Sequence, residues 1–265
     1  MTMIHLTPWD LALAAALVLL LAGMSWWLRL GVERRILIAA ARSTIQLMLV
    51  GLVLKILFSQ THLALIGLMS MVMLSAAGFE VMQRQKRRYR GIWSYGIGAF
   101  SMFLSSFTVI FLALTVVIRV DPWFEPQYLI PLLGMMLGNT MNGVAIALDS
   151  LTRQAWEARG QIEARLLAGG SWERAIEDIR RDALRSGLIP IVNAMGTAGL
   201  VSLPGMMTGQ ILAGSPPLEA AKYQLLIMFL LSGGTGLGSV AAVWLGSKRL
   251  FDRRERLRLD RLRIA

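Results

Sequence analysis

The sequence contains no cysteine and only two histidines, His5 and His62. The missing thiols exclude disulfide bonds, thiolate metal sites and cysteine nucleophiles. Two histidines so far apart in sequence are too few to suggest a zinc site. Charged residues are also scarce, at 16% of the 265 residues, whereas a soluble domain has about 25%. The low charge content therefore points away from a soluble domain.

The sequence is rich in long apolar runs. Hydrophobic residues make up 55% of the chain, and the mean hydropathy is +0.59. Several runs reach the roughly 20 residues that a helix needs to cross the hydrocarbon core. We predict an all-α, polytopic membrane protein with a single transmembrane domain over residues 1–265. The seven predicted helices cover about 10–29, 36–58, 61–81, 92–118, 128–149, 187–213 and 221–247.

The net charge of +11 is concentrated between the apolar spans. Lys and Arg cluster in segments 29–35, 82–91, 150–186 and 248–265, whereas the alternate loops carry few of either. Seven spans would place these four segments on one side, which the positive-inside rule assigns to the cytoplasm. We therefore predict a multi-pass protein of the inner or plasma membrane, N-out and C-in. It would contact membrane lipid, would bind no nucleic acid, and would have a basic cytoplasmic tail.

The long polar segment 150–186 predicts a cytoplasmic helical hairpin. Helix character runs over 150–167 and breaks at Gly169–Gly170, because glycine favours helix C-termini. Ser171 can cap the following helix, with Glu173 in its first turn. The period of that helix places four apolar residues on one face: Ala175, Ile176, Ile179 and Ala183. The hairpin is either an amphipathic surface element or a docking element for a cytoplasmic partner.

The stretch 199–212, GLVSLPGMMTGQIL, is apolar yet contains Pro204, three glycines and several polar side chains. Helix breakers and polar groups persist at bilayer depth only where protein or a water-filled cavity surrounds them. The carboxamide side chains in the fifth and sixth predicted spans are also polar groups at bilayer depth, so the same rule applies to them. We predict that these segments line a translocation pathway. The candidate residues are Asn139, Thr140, Asn142, Asn193, Met206, Met207, Thr208 and Gln210.

The asparagines and methionines each allow a second interpretation. Asn139 and Asn142 are neighbours on one helix face, so they could offer oxygen ligands to a cation or hydrogen-bond to an adjacent helix. Met135, Met136 and Met141 carry thioethers, which suit Cu(I) better than iron. Adaptable core packing explains the same methionines without a metal. These three methionines are therefore either metal ligands or core-packing residues.

Three pairs of glycines follow the small-xxx-small pattern: Gly134–Gly138, Gly205–Gly209 and Gly234–Gly238. Such pairs let two membrane helices approach closely. Asn142 continues the first stripe, which favours a packing role for that asparagine. We predict helix packing at Gly134, Gly138, Gly205 and Gly209, either inside one chain or between two copies.

Two motifs resemble the FetB-type iron-export permeases of ABC transporters. They are PLLGMMLGNTMNG at 131–143 and the 199–212 stretch. The chain is also similar to the plant half-transporters linked to aluminium tolerance, and the resemblance covers nearly its whole length. Segment 163–169, EARLLAG, resembles the start of the EAA loop of ABC permeases, with Arg165 in place of the third residue, Ala.

The resemblance implies the permease subunit of an ABC transporter that exports iron or another metal cation or complex. The permease would form a homodimer and pair with a separate cytoplasmic ATPase, which would use the ATP, while this chain binds no cofactor. The hairpin would present the coupling helix. The residues expected to contact the ATPase are Glu163, Gly169, Gly170, Ser171, Trp172 and Glu173.

The motifs that are missing agree with a separate ATPase. No Walker A motif is present, and the glycine-rich segment 233–239 lacks the Lys that must reach the phosphates. HExxH and GxSxG motifs are absent as well, so we predict no enzymatic activity. A standalone secondary transporter or channel is the alternative. It would show internal repeats or acidic residues in mid-span, and neither is clear.

Overall fold

The computed structural model describes residues 7–59 and 62–264, apart from the side chains of Pro8 and Ser59. His5 lies outside the described residues. The chain divides into two compact units. The first contains the described part of 1–62 together with 212–214, and the second contains 63–211 and the described part of 215–265. The single permease domain inferred from the sequence stays a prediction.

The first unit consists mainly of two helices, α1 (Pro8–Trp27) and α2 (Glu33–Ser59). A capping box begins α1, because the Thr7 hydroxyl accepts from the Asp10 N–H and the Asp10 carboxylate accepts from the Thr7 N–H. Most leucines, isoleucines and valines of both helices are exposed. Apolar surface on this scale is compatible with hydrocarbon and unfavourable in water.

The second unit is built around two long helices, α5 (Pro126–Glu157) and α10 (Pro217–Leu250), which pack along each other. Helices α3 (Leu63–Arg84), α4 (Trp93–Leu112) and α8 (Glu177–Thr197) pack around this pair. The remaining elements are a π-helix (Ala113–Ile118), α6 (Arg159–Leu167), α7 (Trp172–Ala175), α9 (Gly205–Leu212), a 3-10 turn (Leu259–Arg261) and the strands β1 (Arg87–Tyr89) and β2 (Leu262–Ile264).

Six helices of the described residues are long and apolar enough to cross a membrane, which confirms the all-α polytopic class. They match six of the seven predicted spans. They are Trp9–Trp27, Glu33–Phe58, Leu63–Arg84, Trp93–Ile118, Pro126–Glu157 and Pro217–Leu250. The total of seven spans and the N-out orientation stay predictions.

The remaining predicted span, 187–213, is not one continuous helix. Helix α8 ends at Thr197, and α9 begins at Gly205. Between them Gly199 has a φ of +84° and its N–H donates to the Ser202 carbonyl at 2.9 Å, which closes a tight turn. Pro204 then precedes the first residue of α9. The segment is therefore two helices joined by a turn.

Small residues allow α5 and α10 to approach closely. Met136 packs on Gly234, and the Thr140 methyl group would lie 2.5 Å from a Cβ built on Gly238. A Cβ on Gly143 would lie 2.6 Å from the Thr235 methyl group. The Gly234–Gly238 pair therefore serves packing inside the chain.

Three of the four basic segments of the sequence meet at one end of the second unit. Strand β1, from segment 82–91, pairs antiparallel with β2 of the C-terminal tail. The Thr152 hydroxyl donates to the Arg87 carbonyl at 2.9 Å, and the Lys86 N–H donates to Asp149 at 2.7 Å. We call this the basic end. Its existence agrees with the predicted placement of these segments on one side.

The hairpin differs from the prediction in where its helices break. Helix α5 continues to Glu157, where a kink at Ala158 separates it from α6. The second helix is interrupted at Ile176, so that the one-turn α7 precedes α8. The predicted apolar face is confirmed, because all four of its residues are buried: Ala175, Ile176, Ile179 and Ala183.

Candidate functional site

The α6–α7 turn at the basic end is a Schellman motif. The Gly170 N–H donates to the Arg165 carbonyl at 3.1 Å, and the Gly169 N–H donates to the Leu166 carbonyl at 3.0 Å. Gly169 has a φ of +84°, a conformation that L side chains rarely adopt. The predicted helix break at this glycine pair is confirmed. Leu167, just before the turn, is 90% exposed.

The residue that caps α7 differs from the predicted one. Ser171 occupies the N-cap position, but its side chain makes no capping hydrogen bond. Instead the Trp172 N–H donates to the Glu255 carboxylate at 3.1 Å. A carboxylate at a helix start is favourable because the N–H groups there carry partial positive charge. Glu173 lies in the first turn of α7 as expected, and its side chain is exposed.

Arg165, which departs from the EAA pattern, closes the hairpin. Its guanidinium donates to the Ala175 carbonyl at 3.2 Å and to the Asp178 carboxylate at 3.0 Å. These bonds join α6 to α7 and α8. The side chain therefore has a structural role that Ala could not fill.

The C-terminal tail packs against this turn. The Phe251 ring lies 5.5 Å from the Trp172 ring, and Arg261 donates to the carbonyls of Arg249 and Phe251 at 2.9 and 3.0 Å. We call residues 163–173 and 251–257 the coupling platform, after the role predicted from the sequence for its first part. An open groove of about 640 Å³ runs between its two parts. Its walls are formed by Glu163, Leu166, Leu167, Gly169, Gly170, Arg254, Glu255, Arg256 and Leu257.

Two aspartates order the tail. Asp252 accepts from the backbone N–H groups of Arg254 and Arg256 at 2.9 and 3.0 Å, and these bonds hold its pKa below the usual range. Asp260 accepts two hydrogen bonds from the Arg258 guanidinium, which lower its pKa to about 2. The tail is thus a folded segment, although its sequence suggested only a basic extension.

A second polar cluster lies where α3, α5 and α8 approach the basic end. The Arg84 guanidinium donates to the Asn142 side-chain carbonyl and lies 3.6 Å from Glu80. A cavity of about 270 Å³ opens beside it, lined by Arg84, Ala145, Ile146, Asp149, Ser150, Arg153 and Ser186. Asn142 therefore connects α5 to α3, as the packing interpretation proposed.

The other predicted pathway residues of α5 and α8 do not cluster with Asn142. The Asn139 amide donates to the Met135 carbonyl of its own helix at 2.9 Å. Thr140 is fully buried in the contact between α5 and α10, where its hydroxyl has no partner among the described residues. Asn193 is exposed on α8, and its backbone carbonyl accepts from Thr197.

A cavity of about 490 Å³ lies at the opposite end of the second unit, which we call the distal cavity. Its walls come mainly from the start of α5, from α9 and from the start of α10. It brings together three predicted residues, Met135, Met206 and Gln210. The full lining is Ile118, Gln127, Tyr128, Pro131, Leu132, Met135, Met206, Gln210, Tyr223, Leu226 and Ile227. Sequence analysis missed its tyrosines, because nothing in their spacing relates them to 199–212.

Two residues of the distal cavity have carbonyl oxygens that lack an expected hydrogen-bond partner. The Gln210 side-chain carbonyl oxygen is buried and has no partner among the described residues. Pro131 has no N–H, so the Gln127 carbonyl four residues earlier lacks its usual helical donor. A buried acceptor is rarely left unpaired, so the Gln210 oxygen is available to a ligand. Gln127 is an exposed residue of the lining, so its carbonyl is accessible to a ligand or to water.

The remaining predicted residues occupy different environments. Met136 is buried on Gly234, whereas Met141 and Met207 are half-buried. The Thr208 hydroxyl donates to the Pro204 carbonyl at 3.3 Å within its own chain segment. No group of three His, Asp or Glu residues suited to a metal ion occurs among the described residues.

The four glycines predicted to serve helix packing fall into two groups. A Cβ on Gly134 would lie 3.4 Å from the Met73 methyl group of α3, so Gly134 faces a neighbouring helix. For Gly138, Gly205 and Gly209, no atom of the described residues lies within 4 Å of such a Cβ. These three glycines present an open surface in the single chain.

Comparison with known proteins assigns the chain to a family. Residues 8–251 match the family described as "Uncharacterised protein family (UPF0014)". The chain belongs to the UPF0014 family. A UPF0014 membrane protein of Synechocystis is 38% identical over 251 residues, which cover 94% of each chain. The multi-pass membrane location inferred from the sequence is therefore confirmed.

Two further relatives have more specific names. "Probable iron export permease protein FetB" of Escherichia coli K12 is 32% identical over 264 residues, 98% of each chain. "Protein ALUMINUM SENSITIVE 3" of Arabidopsis thaliana is 32% identical over 235 residues, 88% of this chain and 84% of the relative. They confirm the resemblance found in the motifs. No solved structure matches the chain significantly.

Proposed function

We propose that this UPF0014 protein is the permease subunit of an ABC transporter and exports iron or another metal cation or complex. The Escherichia coli relative supports the export activity through its name and its coverage of nearly the whole chain. The bundle itself supplies no ATP-binding motif. A separate ATPase subunit would therefore supply the energy, and this chain would have neither enzymatic activity nor a cofactor of its own.

The coupling platform is the observation that carries the ATPase part of the proposal. Leu167 exposes 90% of its surface beside a turn fixed by two backbone hydrogen bonds. Behind that turn, Glu255 and Phe251 hold Trp172. Leu166 and Leu257 line the same groove as Leu167, so the apolar surface is shared by several residues. Its rigid support favours docking, because little conformational entropy is lost on binding.

A homodimer is part of the same proposal. The glycines Gly138, Gly205 and Gly209 lie on helix surfaces that the described chain leaves uncovered. Small residues on an uncovered membrane helix permit close contact with another helix. A second copy of the chain would supply that helix.

The test measures the turnover of a candidate ABC ATPase mixed with this protein in lipid nanodiscs. The variants are a deletion of 169–171 and Leu167→Glu. The control is Ile264→Glu, because Ile264 is also an exposed apolar residue of the basic end, at 74%, but lies outside the groove. We expect the wild type and the control to bind the ATPase and change its turnover, and both other variants to lose this effect. Metal flux without ATP and without ATPase binding would contradict the proposal.

A further inference from the structure

The distal cavity is uncharged. None of its eleven lining residues is Asp, Glu, Lys, Arg or His. Transfer of a bare multivalent cation from water to such a site is strongly unfavourable without paired charges. Iron ions favour imidazole and anionic oxygen ligands, whereas this cavity offers amides, thioethers and phenols, and phenols bind iron well only after ionisation. The cavity is therefore chemically mismatched to a bare iron ion.

The size of the distal cavity indicates a ligand larger than an ion. Its volume of about 490 Å³ falls within the roughly 300–1,000 Å³ of small-molecule sites. Most of the wall is apolar, and a few polar groups interrupt it, which is the usual composition of such sites. Met135 and Met206 add flexible, polarisable side chains that adapt to irregular shapes.

The polar groups define what the ligand must present. The Gln210 side-chain oxygen has no donor in the described chain, and the Gln127 backbone carbonyl lacks its helical donor because residue 131 is proline. A ligand with N–H or O–H groups would satisfy both. Tyr128 and Tyr223 line the same cavity with rings that can cover an apolar periphery.

We infer that the distal cavity binds the cargo as an electroneutral metal complex, in which an organic chelator encloses the metal. The chelator would present N–H or O–H groups to Gln210 and Gln127, and apolar groups to the tyrosines and methionines. The identity of the cargo rests on the proposed function. Binding itself needs no ATPase, so the two proposals can fail separately.

The probe is iron(III) tris(acetohydroxamate), a neutral complex with N–H groups and methyl groups on its periphery. Equilibrium dialysis with radiolabelled iron measures its binding to the full chain in nanodiscs, in excess acetohydroxamate. Bare Fe(II) under anaerobic conditions and acetohydroxamate alone are the comparison ligands. We expect saturable binding of the complex, displacement by the gallium(III) analogue, and no saturable binding of bare Fe(II).

The variants Gln210→Leu and Tyr223→Ala assign the binding to the distal cavity. Each should weaken binding about tenfold: Gln210→Leu removes one buried hydrogen bond, and Tyr223→Ala removes the ring that covers the apolar periphery of the ligand. Gln161→Leu is the control, because Gln161 is an exposed residue of α6 outside the cavity. Tyr223 is 45% exposed, so its variant folds even if the Gln210 variant does not.

A third variant separates a neutral ligand from a cation. Gln210→Glu should weaken binding of the neutral complex and create measurable binding of bare Fe(II). Failure of the complex to bind, binding of bare Fe(II) by the wild type, or wild-type affinity in both the Gln210→Leu and Tyr223→Ala variants would overturn the inference. ATPase coupling of the same samples, measured separately, tests the proposed function.

Discussion

The phenol of Tyr89 donates to the Gly246 carbonyl oxygen at 2.8 Å. Tyr89 ends strand β1, and its side chain is 1% exposed. A Cβ on Gly246 would lie 3.1 Å from the same phenol oxygen, so the ring fits against the backbone of α10. One hydrogen bond thus fastens the connection between α3 and α4 to the last long helix of the chain.

Loss of this hydrogen bond should destabilise the second unit. We expect Tyr89→Phe to lower the free energy of unfolding by about 1 kcal/mol, because a buried hydrogen bond would be lost while the Gly246 carbonyl keeps its helical bond within α10. Thermal unfolding in detergent micelles measures the change. Tyr128→Phe is the matched control, since that ring is 46% exposed and its loss of a hydroxyl should be nearly neutral. Equal unfolding temperatures for all three proteins would contradict the assignment.

Alkaline pH should remove the same contribution. Burial raises the pKa of Tyr89 far above its usual value, although the positive charge of Arg249 opposes this in part. The fold therefore favours the neutral phenol, whose contribution is complete below the unfolded pKa of about 10 and declines as pH rises above it. The stability difference between wild type and Tyr89→Phe should shrink from pH 9 to pH 11. A constant difference across that range would show that Tyr89 ionises equally in both states.

Glu255 should act on coupling more than on folding. Glu255→Gln keeps the shape of the side chain but removes the charge that strengthens the bond to the Trp172 N–H. Because the residue is exposed, we expect a stability loss of at most about 1 kcal/mol. ATPase stimulation should fall several-fold, as the α7 turn becomes less ordered. Glu157→Gln, at the exposed end of α5, should leave stimulation unchanged.

Much of this fold follows from local sequence. The apolar runs are long enough to specify six spans, because a helix satisfies its own backbone hydrogen bonds in lipid. Gly169 specifies the break between α6 and α7, since its left-handed φ suits glycine. The periodicity around Ile176 and Ile179 correctly predicts a buried face.

The features that could not be predicted depend on residues far apart in sequence. Ser171 had the right position and chemistry for a cap, but Glu255 of the tail supplies the hydrogen bond. The distal cavity joins Met135 to Met206 and Tyr223, and periodicity within one helix carries no information on such contacts. The break between α8 and α9 depends on a turn at Gly199. Glycine is also common inside membrane helices, so its presence alone does not predict a turn.

Gly143 lies where three helices meet, so a methyl group there should be costly. A Cβ would lie 2.6 Å from the Thr235 methyl group, 3.0 Å from the Ser239 hydroxyl and 3.1 Å from the Gly187 carbonyl. We expect Gly143→Ala to destabilise the protein by about 1–3 kcal/mol through overpacking.

The matched control for this change is Gly236→Ala on α10. No atom of the described residues lies within 4 Å of a Cβ at that position. The substitution should therefore be neutral or stabilise by up to about 1 kcal/mol through helix propensity. Unfolding in guanidinium chloride compares the two variants, and equal effects would refute the proposed close contact.

Acid should loosen the tail through Asp252. Its pKa is lowered in the fold, chiefly by the hydrogen bond from the Arg256 N–H, so its contribution is complete above the unfolded pKa of about 4. That contribution is lost as pH falls through the lowered folded pKa. Fluorine NMR of 5-fluorotryptophan at position 172 reports the transition, because that ring lies against Phe251.

Asp252→Asn supplies the comparison for this titration. The amide cannot ionise, so the variant should show at neutral pH a resonance shifted toward the acid form of the wild type. Asp10→Asn should leave the resonance unaffected, since Asp10 caps α1 in the other unit. An unshifted Asp252→Asn resonance would mean that the carboxylate does not order the tail.

The close packing of α5 side chains on the glycines of α10 restricts how the second unit can change shape. Met136 sits over Gly234 and Thr140 over Gly238, so the two contacts repeat every four residues, about 6 Å along each helix. A smaller slide would drive side chains into backbone. The two helices should therefore move as one rigid unit. One end of this unit borders the distal cavity, and the other end contacts strand β1 through Tyr89. We therefore expect a movement of the basic end to reach the distal cavity by tilting of the helix pair, and not by sliding of one helix along the other.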